Sequence, residues 1–137
     1  MHYKIQGFTL IELLIVVTIV AILAVVAISS FQNYSIRARV TEGLGLVTRA
    51  KIAVSEVVLA TSALPANQAA TGYEFPAPTD NVSDISIGAN GLIIITFTVQ
   101  AGNGTINFQP AVVGNSGVTW DCTGGTLQDQ YRPAICR

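Results

Sequence analysis

Charge is what this chain has least of. Only 11% of its 137 residues are Asp, Glu, Lys or Arg, against roughly a quarter in an ordinary soluble domain. The net charge of −1 argues against a dedicated nucleic-acid binder, which would be basic. Histidine occurs once, at His2. No Gly-rich phosphate loop, metal-ligand cluster or nucleophile–base pairing stands out, so neither a catalytic role nor a cofactor nor a metal is expected. Cysteine occurs only at Cys122 and Cys136, and proline is absent before Pro65. That last absence leaves a long N-terminal stretch free of helix breakers.

What fills the stretch is apolar. From Phe8 to Ser30 the single ionisable side chain is Glu12, and Leu10–Ile28 offers 19 residues, enough for a helix across a hydrocarbon core of about 30 Å. Ahead of it stands a short polar segment, MHYKIQG, with a basic charge at Lys4. A secretory signal peptide places its small-residue cut site after the apolar core. Here the small residue, Gly7, comes before it, so a cut there would keep the apolar segment on the mature chain. Lys4 favours a cytoplasmic N-terminus, whereas Arg37 and Arg39 flank the other side. The cysteines therefore weigh more in orientation: a pair in a chain leaving the cytoplasm suggests a disulfide. Two buried thiols are the alternative, and a metal site is a poor third with no histidine nearby. Closing the 15 residues from Cys122 to Cys136 would stabilise the fold by about 3 kcal/mol in the chain-entropy model.

Beyond the apolar run, Ile36, Val40, Leu44, Val47, Val54 and Val58 recur at helical spacing. One helix from about residue 8 to about 60 is expected, its first half apolar all round and its second half amphipathic. Gly43 and Gly45 mark either a bend or a close approach by a neighbouring backbone. Arg37, Arg39, Glu42, Arg49 and Lys51 fall mostly off the stripe. They read as a solvated face or as partners for acidic groups of a neighbouring subunit, and contact with DNA or anionic lipid is a lesser possibility. Residues 61–84, rich in proline, alanine and threonine, read as a connecting loop. The runs Ile85–Ile87, Leu92–Val99, Thr105–Val113 and Val118–Cys122 are separated by glycine-bracketed turns, among them Asn90-Gly91 and Gly114-Asn115-Ser116-Gly117. Those are hairpin signals. The fold class is thus α+β: a three- or four-stranded antiparallel meander over residues 85–122, covered by the amphipathic half of the helix and leaving the apolar half as a tail.

The segment Gly7-Phe8-Thr9-Leu10-Ile11-Glu12-Leu13 closely resembles the class III signal of type IV pilins, pseudopilins and related filament subunits. The match runs through most of the first 34 residues, including Gln32-Asn33-Tyr34. The resemblance implies that a prepilin peptidase cuts after Gly7 and that the new terminus, Phe8, is N-methylated. It also implies that Glu12 meets the Phe8 amine of a neighbouring subunit as the filament grows. A carboxylate in a membrane span costs about 2.5–3.5 kcal/mol on insertion scales, so it needs a partner, hydration near the interface, or a proton. Trp120-Asp121-Cys122 and Pro133-Ala134-Ile135-Cys136 resemble the disulfide-bounded loop closing type IVa pilin heads. On that footing the chain divides into a leader (1–7), a transmembrane and filament-core helix (8–34) and a head (35–137) ending in a disulfide loop (122–136).

The family often carries glycine and proline where this chain has Ala21 and Ser29. A helix straighter near Ser29 is expected in the free subunit. The sequons at Asn33, Asn81 and Asn103 are weak signals. The leading expectation is a structural subunit of a type IV pilus, serving adhesion, twitching motility or DNA uptake. Its partners would be copies of itself, the prepilin peptidase and the assembly machinery. Before assembly it would sit in the inner membrane with a periplasmic head, and afterwards in an extracellular filament. The rivals are a type II secretion pseudopilin, for which no dense Asp cluster offers a calcium site, a minor pilin, or a membrane-anchored binding domain that never polymerises.

Overall fold

The computed structural model describes residues 7–114 and 117–137. The expected leader residues before Gly7, with His2 and Lys4, lie outside the described residues, as do Asn115 and Ser116 of the last expected turn. Contacts divide the chain into two units, Met1–Asn33 and Tyr34–Arg137. A single helix, α1 (Leu10–Thr61), carries residues of both. Its assignment is uninterrupted through Ser29, whose hydroxyl donates to the Val26 carbonyl at 3.1 Å.

In the first unit none of the described residues buries the apolar side chains of the helix. Every large apolar side chain from Leu10 to Ile28 is between 49% and 80% exposed. The Thr18 hydroxyl, the polar group midway along, donates to the Leu14 carbonyl at 2.7 Å, so it needs no water. Among the described residues α1 is the one helix long and apolar enough to cross a membrane.

In the second unit α1 buries Val40, Gly43, Val47, Ala50, Val54 and Val58. Spacings of three and four keep these on one face. Ile36 and Leu44, expected on the stripe, pack at its border, half-buried. Against the face lies an antiparallel sheet in the order β1 (Val82–Ile87), β2 (Ile93–Phe97), β3 (Thr105–Val113) and β4 (Gly117–Gly124). Ile85, Ile87, Ile93, Ile95, Phe97, Ile106 and Phe108 are its main buried side chains. Each such burial is worth about 1.5–3 kcal/mol.

β1 starts three residues before the run Ile85–Ile87, because a bulge between Val82 and Asp84 lets Val82 pair with Phe97. Buried positions then fall at 82, 85 and 87, and the broken alternation hides the start. β2 stops at Phe97 rather than Val99, which lies 78% exposed in the turn Val99–Ala101. Between β1 and β2, Asn90 and Gly91 both take positive φ, 56° and 69°, as an Asn-Gly turn favours.

The two helix glycines separate cleanly. A methyl at Gly43 would lie 2.6 Å from the Phe97 ring and 3.1 Å from Val82, so side chains of the sheet, not a backbone, approach there. At Gly45 it would meet nothing within 4 Å. Gly43→Ala is therefore expected to lose about 1–3 kcal/mol to overpacking, partly offset by helix propensity. Gly45→Ala should gain up to about 1 kcal/mol. Paired urea unfolding curves check this, and equal shifts for both would contradict the packing.

Candidate functional site

Gly7 and Phe8 lie just ahead of α1 and Glu12 in its first turn. The helix opens with the Leu13 amide donating to the Thr9 carbonyl at 3.2 Å, which places Phe8 ahead of the helix and Glu12 in its first turn. An acid there faces the partial positive charge of the free amides. The Thr9 hydroxyl donates to Glu12 Oε2 at 3.4 Å, and Glu12 is otherwise exposed. Phe8 is 74% exposed, and a methyl at Gly7 would meet nothing within 4 Å. The fold thus has no steric need for glycine at position 7. Any requirement for it comes from something that reads the chain from outside.

The second site is the C-terminal loop. Cys122 and Cys136 are disulfide-bonded with Cα atoms 4.7 Å apart, as the cysteine count suggested. The loop they close is stitched to the start of β3. Thr105 and Thr126 exchange amide-to-hydroxyl bonds at 3.1 Å each, and the Leu127 amide donates to the Thr105 carbonyl at 2.9 Å. The chain passes Thr105 so closely at Gly125, with φ of 106°, that a methyl there would strike the Thr105 carbonyl.

Arg132 fills the middle of this loop and is only 3% exposed. Its Nε donates to the Leu127 carbonyl at 2.7 Å. Nη1 reaches the carbonyls of Thr123 at 2.6 Å, Gly124 at 3.2 Å and Cys136 at 3.4 Å, and Nη2 that of Gly125 at 2.8 Å. Asp129 lies 3.7 Å away but is itself exposed. Backbone carbonyls therefore hold the guanidinium more than a counter-charge does, and its planar fork suits that many acceptors. No motif or spacing in the sequence singles out Arg132. The one available signal was a lone arginine inside a short Cys-bounded loop containing Gly124-Gly125.

Three of the basic residues of the helix, Arg37, Arg39 and Lys51, reach other parts of the head. Arg37 Nε donates to the Gln130 carbonyl, and Arg39 Nη1 to that of Gln100 at 3.1 Å. Glu42 Oε2 accepts from Asn81 Nδ2 at 2.5 Å. That bond, with help from Thr79, holds the Glu42 carboxyl below the usual carboxylate range. Asp121 is held low too, by the Thr123 amide and then its hydroxyl. Lys51 stands over two rings, its Nζ 4.1 Å from the Phe108 centroid and 5.4 Å from that of Trp120. Such contacts are worth about 0.5–1 kcal/mol each when exposed. Burial pushes the Lys51 ammonium below the usual lysine value.

Comparison with known sequences follows the same division. The family model described as Pilin (bacterial filament) matches residues 36–137, and the prokaryotic N-terminal methylation motif matches residues 3–28. Fimbrial protein EcpC of Eikenella corrodens is 30% identical, the match covering 96% of this chain and 90% of the relative. A type IV major pilin protein PilE1 of Neisseria gonorrhoeae is 35% identical over 96% of this chain and 93% of the relative. A fimbrial protein of Pseudomonas aeruginosa is 33% identical, with 96% of each chain covered.

Proposed function

The chain belongs to the pilin family of bacterial filament subunits, and from that membership we propose a route for it: a membrane-inserted precursor, cut between Gly7 and Phe8, that polymerises into a type IV pilus. The observation that carries the reading is the N-terminal methylation motif lying on an apolar helix that the described residues leave uncovered. A bare apolar surface of that size needs lipid or other copies of itself, and this route supplies first one and then the other.

The cut removes Lys4 and the rest of the polar leader while retaining the apolar segment. It also creates a cationic amine at Phe8, four residues from Glu12. Methylation keeps that charge. In the filament the amine of one subunit and the Glu12 carboxylate of its neighbour satisfy each other in an apolar core, which helps set the subunit stagger. The prepilin peptidase and the assembly machinery act on the inner-membrane form, its head in the periplasm, where the Cys122–Cys136 bond forms. The division into leader, core helix 8–34 and head 35–137 follows from this route. The subunit's role is structural. The disulfide-bounded loop, together with relatives named as fimbrial proteins and type IV major pilins, favours a pilus over a secretion pseudopilus.

Electron microscopy of sheared surface filaments, with mass spectrometry of their main protein, tests the reading. The expected protein begins at a methylated Phe8. An intact Met1, an unmethylated Phe8, or the absence of this chain from filaments would each overturn part of the route.

A further inference from the structure

Between α1 and the C-terminal segment lies a hollow of about 240 Å³. Its wall includes Arg37 and Thr41 of the helix and Tyr131, Arg132 and Arg137 of the segment. Arg37 Nε donates to the Gln130 carbonyl, and Arg137 Nε to that of Arg132 at 3.1 Å. Among the described residues the terminal amino groups of both side chains take no hydrogen bond. Arg132 is buried with each of its nitrogens engaged, so it brings charge to the hollow rather than free donors. The one ion pair among the described residues joins Arg132 to the exposed Asp129 at 3.7 Å. Three guanidinium charges therefore line one hollow, and neither Arg37 nor Arg137 has a carboxylate partner there. A shallower hollow of about 340 Å³ shares Arg37 and Thr41 with the first and extends it towards Tyr34.

We propose that the Arg37–Arg137 hollow binds the phosphate of an anionic phospholipid headgroup and so holds the head of the membrane-resident subunit at the bilayer surface before assembly. The proposal rests on the membrane-inserted stage of the route above and names the lipid contact made there. Phosphate suits the donors, because a guanidinium fork meets its oxygens in paired hydrogen bonds. Position along the chain selects a lipid as its source. The apolar run ends at Ile28, and Arg37 follows within about three turns of helix. Tyr34 stands between them, 73% exposed, and tyrosine is enriched at the headgroup level of a membrane. The long stem of an arginine lets its charge reach back to that level. Each basic side chain near an anionic surface strengthens binding about fivefold. A zwitterionic headgroup carries its own cation beside the phosphate, which three arginines repel. A long polyanion such as nucleic acid fits less well, because the chain as a whole carries a net charge of −1.

The test is native mass spectrometry of the full-length chain in detergent micelles, titrated with phosphatidylglycerol or phosphatidylcholine. Phosphatidylglycerol should bind about tenfold more tightly, and Arg37→Gln with Arg137→Gln should remove most of that preference. Arg37→Lys with Arg137→Lys keeps both charges and should retain most of it, which separates charge from any effect on the fold. Arg39→Gln alters a basic residue outside the hollow and should leave the preference within about twofold. Inorganic phosphate and a short DNA duplex, each at the lipid's concentration, should not displace phosphatidylglycerol. Displacement by either would assign the hollow to a different phosphate and overturn the lipid contact. Equal binding of the two lipids, an unchanged preference in the glutamine pair, or a loss as large in the lysine pair or in Arg39→Gln would overturn it too. Each of these results leaves the pilus reading intact, since filaments beginning at a methylated Phe8 do not depend on them. If the chain is absent from membranes altogether, both fall together.

Discussion

Glu12→Ala is expected to abolish surface filaments while leaving the protein in the membrane at normal abundance. The two halves of that expectation have opposite signs at one residue. Insertion becomes easier, because a carboxylate in the span costs about 2.5–3.5 kcal/mol on insertion scales and alanine does not. Assembly becomes harder, because each Phe8 amine entering the filament core would lose its counter-charge. Breaking a buried pair by removing one partner costs about 3–5 kcal/mol, and a filament repeats that loss at every subunit. Glu12→Asp keeps the charge on a shorter stem and should assemble poorly rather than not at all. Immunoblots of membranes set against sheared-filament yield check both halves. Abundant normal filaments from Glu12→Ala would remove the pairing from the account.

Arg132→Ala should unfold the C-terminal loop and cost the head about 3 kcal/mol, comparable to losing the disulfide. Five carbonyls, those of Thr123, Gly124, Gly125, Leu127 and Cys136, would lose their donor together. Hydrogen bonds to a charged group are worth about 1.5–3 kcal/mol each, but they are not additive when one loop carries them all. Arg132→Lys should recover under half, since an ammonium cannot present donors in a fork. Cys122→Ser/Cys136→Ser should cost about 3 kcal/mol in the chain-entropy model. Combining it with Arg132→Ala should cost less than the sum, because both changes release the same loop. Trp120 is the chain's only tryptophan and stands two residues from Cys122. Its fluorescence during urea unfolding of the detergent-solubilised protein reports the series. A loss under about 1 kcal/mol for Arg132→Ala would mean that water replaces the guanidinium cheaply.

The features most legible in the sequence are those that depend on neighbours along the chain. An apolar run interrupted only by Glu12 is visible one residue at a time, and so is the inverted order of Gly7 and that run. The amphipathic stripe was readable because helical spacing is a local rule, and it located Val40, Val47, Val54 and Val58 on the buried face. Alternation and turn residues located four runs of strand but matched both ends only for β3, Thr105–Val113. The bulge at β1 broke the period on which the reading depends, and the exposed Val99 looked like strand until the turn placed it.

What only the tertiary structure decided are contacts between segments far apart in sequence. Gly43 and Gly45 look alike in the chain, yet one lies under the Phe97 ring and the other faces open space. Arg37, Arg39 and Lys51 read as a basic surface, but the fold brings Gln130, Gln100 and the Phe108 and Trp120 rings to them. Arg132, which no sequence pattern singles out, sits at the centre of the disulfide loop. The sequence by itself determined that this protein has an apolar helix needing cover from outside and a single cysteine pair placed to close the head; the fold joins that pair. The physical reason is that hydrophobic periodicity and a lone pair of cysteines are properties of composition and order. A buried polar side chain's role depends on which carbonyls, rings or charges the rest of the chain delivers to it, and that is settled only on folding.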